Sequence, residues 1–208
     1  MFSIIQAAGW PIWLLIVCSI LGLALIIERF LSLKTAKVAP PQLLDEVLAA
    51  AGTEVPAADV IGQLEKNSAL GEVLAGGLRA LQGKPDCSAD ELRAALESRG
   101  RVVAHKLERY LSALATIASV SPLLGLFGTL VGMIDIFGSQ SPTGGSNPAQ
   151  LAHGISVALY NTAFGLIIAI PALIFWRYFR ARVDEYLLTL ELAAERLLQH
   201  LVTLRKAP

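Results

Sequence analysis

Charge is scarce in this sequence. Only 16% of its 208 residues are Asp, Glu, Lys or Arg, against 54% hydrophobic residues, and the mean hydropathy is +0.59. An ordinary soluble domain carries about 25% charged residues, so this composition calls for a membrane as solvent. Basic excess is missing too, with 17 Lys and Arg balancing 17 Asp and Glu. A nucleic-acid partner, which phosphate contacts would demand, is not indicated. Cysteine is limited to Cys18, inside an apolar run, and Cys87, in a polar stretch. On the topology derived below they occupy different environments, and no disulfide is expected. His105, His153 and His200 lie far apart, none at zinc-ligand spacing with another His or Cys, so neither metal nor cofactor is expected. Walker loops, G-x-S-x-G elbows and H-E-x-x-H helices are missing, and the chain is not expected to be an enzyme.

Long uncharged runs are what the sequence has instead. The first reaches Ile27 and is closed by Glu28 and Arg29; the others run from Leu111 to Ile134 and from Gly154 to Trp176. Each approaches or exceeds the ~20 residues of a bilayer crossing. A cleaved signal peptide would want Lys or Arg before the first run and a small-residue cleavage site after it, so a retained helix is expected there. Lys and Arg cluster after the first span (Arg29, Lys34, Lys37), before the second (Arg99, Arg101, Lys106, Arg109) and after the third (Arg177, Arg180, Arg182). The N-terminal segment and the stretch from Gly138 to Gln150 have none. Positive charge is retained on the cytoplasmic side, which puts the N-terminus outside and the C-terminus in the cytoplasm.

The fold class expected is all-α, a polytopic membrane protein with three transmembrane helices, two of them extending far into the cytoplasm. Its parts are a periplasmic segment and first span over 1–37, a cytoplasmic helical region over 38–110, the second span over 111–137, a periplasmic loop over 138–153, the third span over 154–176 and a cytoplasmic helix over 177–208. Gly52, Pro56, Gly83 and Pro85 cut the cytoplasmic region into short pieces. Ser88 and Glu91 have capping-box spacing. From there Leu92, Leu96, Val103, Leu107, Leu111 and Leu114 form one apolar stripe of a helix expected to run unbroken into the second span. The third span continues with Val183, Leu187, Leu190, Ala194, Leu197, Leu201 and Leu204, a heptad-like seam. Periodicity leaves open whether this seam packs on its own chain or on another subunit.

Within the second span, Pro122 removes one backbone donor, and Gly125, Gly128 and Gly132 offer small surfaces at spacings of three and four beside Thr129. The third span repeats the pattern with Gly154, Ala158, Thr162, Gly165 and Ala169. Asn161 and Thr162 are its most polar mid-span groups, and an amide at that depth is expected to face another helix or a wet cavity. By frequency alone, a membrane threonine bonds back to its own helix carbonyl. Between their ends the spans contain no ionisable residue. Proton paths through membranes use such groups, so this chain alone lacks the acid that a path would want. Asp135, at the outer end of the second span, reads as an interfacial residue.

The string Ser121-Pro-Leu-Leu-Gly-Leu-Phe-Gly-Thr-Leu-Val-Gly-Met-Ile134, followed by Gly154-Ile-Ser-Val-Ala-Leu-Tyr-Asn-Thr-Ala-Phe-Gly-Leu-Ile-Ile-Ala-Ile-Pro-Ala172, resembles the ExbB/TolQ/MotA family of proton-channel scaffold subunits. The ExbB and TolQ branches are nearer than MotA, whose members usually have four spans. The resemblance implies a pentamer whose second and third spans surround the single helices of an ExbD-like or TolR-like partner. That partner's membrane aspartate would supply the missing acid. Thr129 and Thr162 match the family's pore-lining threonines, and Asn161 is expected beside them on the proton pathway. Pro122, Gly125, Gly128, Gly132, Ala158 and Gly165 are expected to pack helices. Val157 departs from the family pattern, since well-known ExbB and TolQ proteins have a glutamate there, and no ionisable role passes to it.

The function this implies is the scaffold of a proton-motive-force-driven complex in a bacterial inner membrane, with the N-terminus in the periplasm and the C-terminus in the cytoplasm, that energises TonB-dependent outer-membrane transport through a TonB-like periplasm-spanning protein. A TolQ-like role in envelope maintenance, acting on a TolA-like protein, and a passive membrane scaffold with small-residue seams for packing alone are the alternatives.

Overall fold

The computed structural model describes residues 9–52, 56–138 and 148–206, without the side chains of 148–150, 153, 205 and 206. Most of the segment before the first span and most of the loop expected over 138–153 lie outside the described residues. The described elements are α1 (Pro11–Ser32), α2 (Thr35–Val38), α3 (Leu43–Ala51), α4 (Ala58–Asn67), α5 (Ala69–Gly83), α6 (Ala89–Glu108), α7 (Leu111–Gly138) and α8 (Pro148–Lys206). No strand occurs among the described residues, and three helices are long and apolar enough to cross a membrane. They sort into two compact units, Met1–Glu28 with Tyr110–Tyr178, and Arg29–Arg109 with Phe179–Pro208.

In the first unit α1 starts with Pro11, whose missing N–H belongs to the donors a helix start leaves unbonded. Gly9 precedes it at φ 77°, a left-handed conformation that only glycine adopts without strain. Ile12, Leu15 and Ile26 are buried, and a Cβ on Gly22 would stand 3.5 Å from Ile117 Cγ2, so α1 packs along α7. Trp10 meets Phe127 edge-on at 5.8 Å. Yet just 22%, 22% and 28% of the three apolar windows is buried. Outward faces carrying Val17, Ile20, Leu123, Leu130, Ile134, Ile167 and Ile174 would be untenable in water and suit a hydrocarbon solvent. Pro122 and Pro171 sit inside α7 and α8 without ending them.

In the second unit α5 and α6 pack on the last part of α8. Leu70, Val73, Leu74 and Leu78 join Leu92, Leu96 and Val103 and the α8 residues Val183, Leu190, Leu197 and Leu201 in one core. The stripe of α8 therefore faces its own chain, which answers the question that periodicity left open. Its end does not, since Leu204 is 38% exposed. Gly77 allows close approach here, because a Cβ would come within 2.7 Å of Leu96 Cδ2. Buried Tyr186 of α8 donates its hydroxyl to Leu33 O at 3.0 Å, lies 3.0 Å from Thr35 Oγ1 and accepts from Arg182 Nη2 at 3.1 Å. Phe30 stacks edge-on against Phe179 at 5.0 Å.

The helix expected to run unbroken from Ser88 has a local irregularity. Arg109 and Tyr110 form a turn between α6 and α7, although Arg109 keeps helical dihedrals of φ −44° and ψ −42°. Buried Arg29 donates from Nη1 to the Leu107 carbonyl at 2.9 Å, in the last turn of α6. A cation there complements the partial negative charge of a helix C-terminus.

At the other end of α6 the capping box is complete. Glu91 N–H donates to Ser88 Oγ at 3.2 Å, and Ser88 N–H donates to Glu91 Oε2 at 2.7 Å. Lys84 Nζ also bonds Glu91 Oε1 at 2.6 Å. That hydrogen bond, then the one from Ser88 N–H, holds the Glu91 carboxyl below the usual carboxylate range, and the bond to Glu91 in turn raises the Lys84 ammonium. A depressed carboxyl stabilises the fold above its unfolded pKa, and the contribution disappears as pH falls through the folded value. Carbon-detected NMR titration in detergent is expected to place Glu91 below an ordinary glutamate, and Lys84→Met to move it part of the way back. An ordinary Glu91 titration in the unaltered chain would contradict the box.

Candidate functional site

The small residues of α7 and α8 form one seam. A Cβ on Gly125 would lie 2.8 Å from Asn161 O, 3.0 Å from Thr162 Cα and 3.3 Å from Gly165 Cα. On Gly128 it would meet Cβ, Cγ and Nδ2 of Asn161 at 2.8–2.9 Å, and on Gly132 it would meet Ala158 Cβ at 3.1 Å. From the α8 side, a Cβ on Gly165 would reach Ser121 O at 2.6 Å. Backbones this close are possible because one residue of each facing pair has no side chain, and in lipid such packing takes over the role that hydrophobic burial plays in water. Ala118, Ala169 and Ala172 are buried as well.

Four polar residues of the seam divide between two positions, while Thr116, Ser119 and Ser156 of the same helices are exposed. Ser121 and Asn161, at 0% and 1% exposure, are enclosed in the seam. Thr129 and Thr162 are half-buried at its edge, as is Val157. Asn161 thus stands on Gly128 and faces another helix, one of the two surroundings expected for an amide at this depth. Pro122, also half-buried, follows Ser121. Ser121 Oγ donates to Ile117 O at 2.7 Å, and Thr129 Oγ1 donates to Leu126 O at 2.6 Å. This is the back-bonding that a threonine in lipid adopts most often. It does not exhaust the hydroxyl, whose lone pairs can still accept from water or from a protonated acid.

Sequence reasoning passed over Ser121 as a packing residue. The signal was there, since 121, 125, 128 and 132 recur every three or four residues, but the side chain bonds locally and it is the carbonyl that meets Gly165. It also passed over Arg29 and Tyr186, whose partners are main-chain carbonyls. Two surface grooves, of about 370 and 620 Å³, lie in the second unit and bring together mixed charges and aliphatic residues. They share no residue with the seam. Among the described residues no group of three His, Cys, Asp or Glu is placed to hold a metal ion.

The first unit is thus built on a close-packed pair of membrane-length helices, glycine-lined, with threonines at the rim and no acid in the seam. The profile described as the MotA/TolQ/ExbB proton channel family matches residues 65–192, covering the seam and most of α5, α6 and α8. This chain belongs to the MotA/TolQ/ExbB proton channel family. Within it the chain is 35% identical over 167 residues to a Synechocystis sp. protein named biopolymer transport protein ExbB-like 3, covering 78% of this chain and 77% of the relative. It is 40% identical over 104 residues to biopolymer transport protein ExbB of Salmonella typhimurium, covering 50% and 43%. The Tol-Pal system protein TolQ of Pseudomonas aeruginosa is 44% identical over 79 residues, covering 38% and 34%. Less than half of the length of the last two relatives is therefore matched. These names place the chain in the ExbB/TolQ branch, with ExbB names predominating.

The seam makes a graded prediction for this MotA/TolQ/ExbB family member. Gly165→Ala sets a methyl against the Ser121 carbonyl and is expected to destabilise by about 1–3 kcal/mol, as overpacking does. Gly125→Leu is expected to abolish assembly. Gly138→Ala meets nothing within 4 Å and is the neutral control. Thermal unfolding in detergent tests the series, and a Gly165→Ala protein as stable as Gly138→Ala would show the seam to be loose.

Proposed function

We propose that this chain is the scaffold subunit of an inner-membrane complex driven by the proton-motive force, which energises outer-membrane transport as an ExbB-like protein. The observation that carries the proposal is a mismatch. A member of a proton channel family presents hydroxyls at the rim of its helix pair and no Asp, Glu, Lys, Arg or His between the ends of its spans. The acid comes from a second chain, an ExbD-like or TolR-like single-span partner, held in a ring of copies of this one, with five as the number the family resemblance implies. The N-terminus is periplasmic and the C-terminus cytoplasmic, as the Lys and Arg distribution requires.

Thr129 and Thr162 act on that acid or on water beside it. Because the Thr129 proton is committed to Leu126 O, the oxygen serves as an acceptor toward the guest. At a potential of roughly 150 mV one proton supplies about 3.5 kcal/mol, against ~0.6 kcal/mol for a typical hydrogen bond between membrane side chains. One crossing therefore suffices to break several such contacts. Movement of the partner pair inside the ring passes to a TonB-like protein that reaches across the periplasm. A TolQ-like role, acting on a TolA-like protein, is favoured by the Pseudomonas aeruginosa similarity and differs only in output.

Co-purification with the adjacent single-span protein, mass measurement and proton flux in proteoliposomes test the proposal together. Thr129→Val and Thr162→Val are each expected to assemble normally and lower flux about tenfold, the effect of losing roughly 1.4 kcal/mol in the rate-limiting step. Thr129→Ser should keep most of it. Unchanged flux and unchanged energised uptake in both valine variants would favour a passive scaffold, and flux through this chain without a partner would refute the borrowed acid.

A further inference from the structure

Asn161 is costly where it stands. A carboxamide removed from water at membrane depth is tolerated less well than a leucine of similar volume, so filling space does not explain it. The seam shows what the residue does sterically. Three of its atoms, Cβ, Cγ and Nδ2, lie 2.8–2.9 Å from the position a Gly128 Cβ would take, and the side chain is 1% exposed. The carboxamide therefore lies across Gly128 in a socket formed by the missing side chain.

The next residue of α8 is Thr162, a turn of about 100° away around the helix. Thr162 is half-buried, and its Cα is 3.0 Å from the Cβ position of Gly125. With Asn161 seated on Gly128, Thr162 is carried to the rim of the seam. A methyl at 128 would meet Asn161 several tenths of an ångström inside normal contact distance, and α8 would have to shift or turn. Shifts of about 0.5 Å already degrade a functional site.

We propose that Asn161 is a positioning residue, and that its seat on Gly128 fixes the rotation of α8 that presents the Thr162 hydroxyl. The two positions form a size-matched pair. The steric part of this stands on the seam alone; the consequence for flux rests on the function proposed above.

The test is a size exchange in the full chain with its single-span partner. In a Cys18→Ser, Cys87→Ala background, Thr162→Cys supplies a thiol whose labelling by a small water-soluble maleimide reports on the orientation of the position. Gly128→Ala is expected to change the labelling rate about tenfold, and Asn161→Ala, which empties the socket instead of crowding it, to change it as well. Gly128→Ala with Asn161→Ala is expected to return it to within about threefold of the starting protein. With Thr162 restored, flux per assembled complex should fall about tenfold in Gly128→Ala and recover in the double variant. This second readout separates positioning from bulk stability, because it is counted per complex. A labelling rate that ignores both single changes, or a double variant no closer to the starting rate than Gly128→Ala, overturns the inference. If Gly128→Ala does not assemble, labelling of Asn161→Ala at the unaltered rate overturns it too. Size-exchange behaviour in labelling alongside no flux in any protein upholds the positioning and instead rejects the proton-driven function.

Discussion

The close approach of α7 and α8 is the constraint from which the other features of the first unit follow. Gly125, Gly128 and Gly165 bring two backbones to a separation at which an added Cβ would come within 3.0 Å of its neighbours, and at Gly132 it would come within 3.1 Å. That contact consumes the small-residue face of each helix and leaves their aliphatic faces outward. In water such an arrangement would be the wrong way round. In hydrocarbon it is favourable, because tails solvate the outer face and dispersion holds the inner one. Thr129 and Thr162 are left half-buried at the rim, while Ser121 and Asn161 are enclosed in the packing.

The second unit is built on different physics. Its core of leucine and valine from α5, α6 and α8 is that of a water-soluble helical assembly, with charged residues outward and pairs such as Lys106 with Glu72 at 2.6 Å and Arg180 with Glu108 at 3.0 Å on the surface. Exposed ion pairs contribute little each, so the apolar core carries the stability. Breaks in helix hydrogen bonding are answered by side chains, as by the capping box at Ser88 and Glu91 and by Arg29 on the Leu107 carbonyl.

Much of this was legible in the residues, and the limits have physical reasons. Uncharged length announced the three helices, since nothing else requires twenty apolar residues without charge. The capping box was readable because it is local. The stripe from Val183 to Leu204 announced a buried face, yet a period of three and four names the face and not its owner, and only the fold showed that Val183, Leu190, Leu197 and Leu201 pack on their own chain. Asn161 was expected to face another helix or a wet cavity, and it faces α7, whereas Thr162, its neighbour in sequence, is half-buried. On a helix adjacent residues point about 100° apart, so one is enclosed and the other reaches the rim. The turn at Arg109 and Tyr110 had no signal, for neither residue breaks helices, and Arg29 reaches a carbonyl 78 positions away.

The account stands or falls on α7 and α8 of one chain meeting through their glycines. In a Cys18→Ser, Cys87→Ala background, Gly132→Cys with Ala158→Cys sets the two Cβ atoms 3.1 Å apart, a few tenths of an ångström inside the roughly 3.5–4.5 Å that a disulfide spans, so a small outward shift of either helix lets the bond form. Mild oxidation in native membranes is predicted to give a rapid intramolecular crosslink, seen as a monomer of altered mobility that reductant reverses. Crosslinked dimers in place of that monomer would assign the seam to two different chains and contradict the architecture.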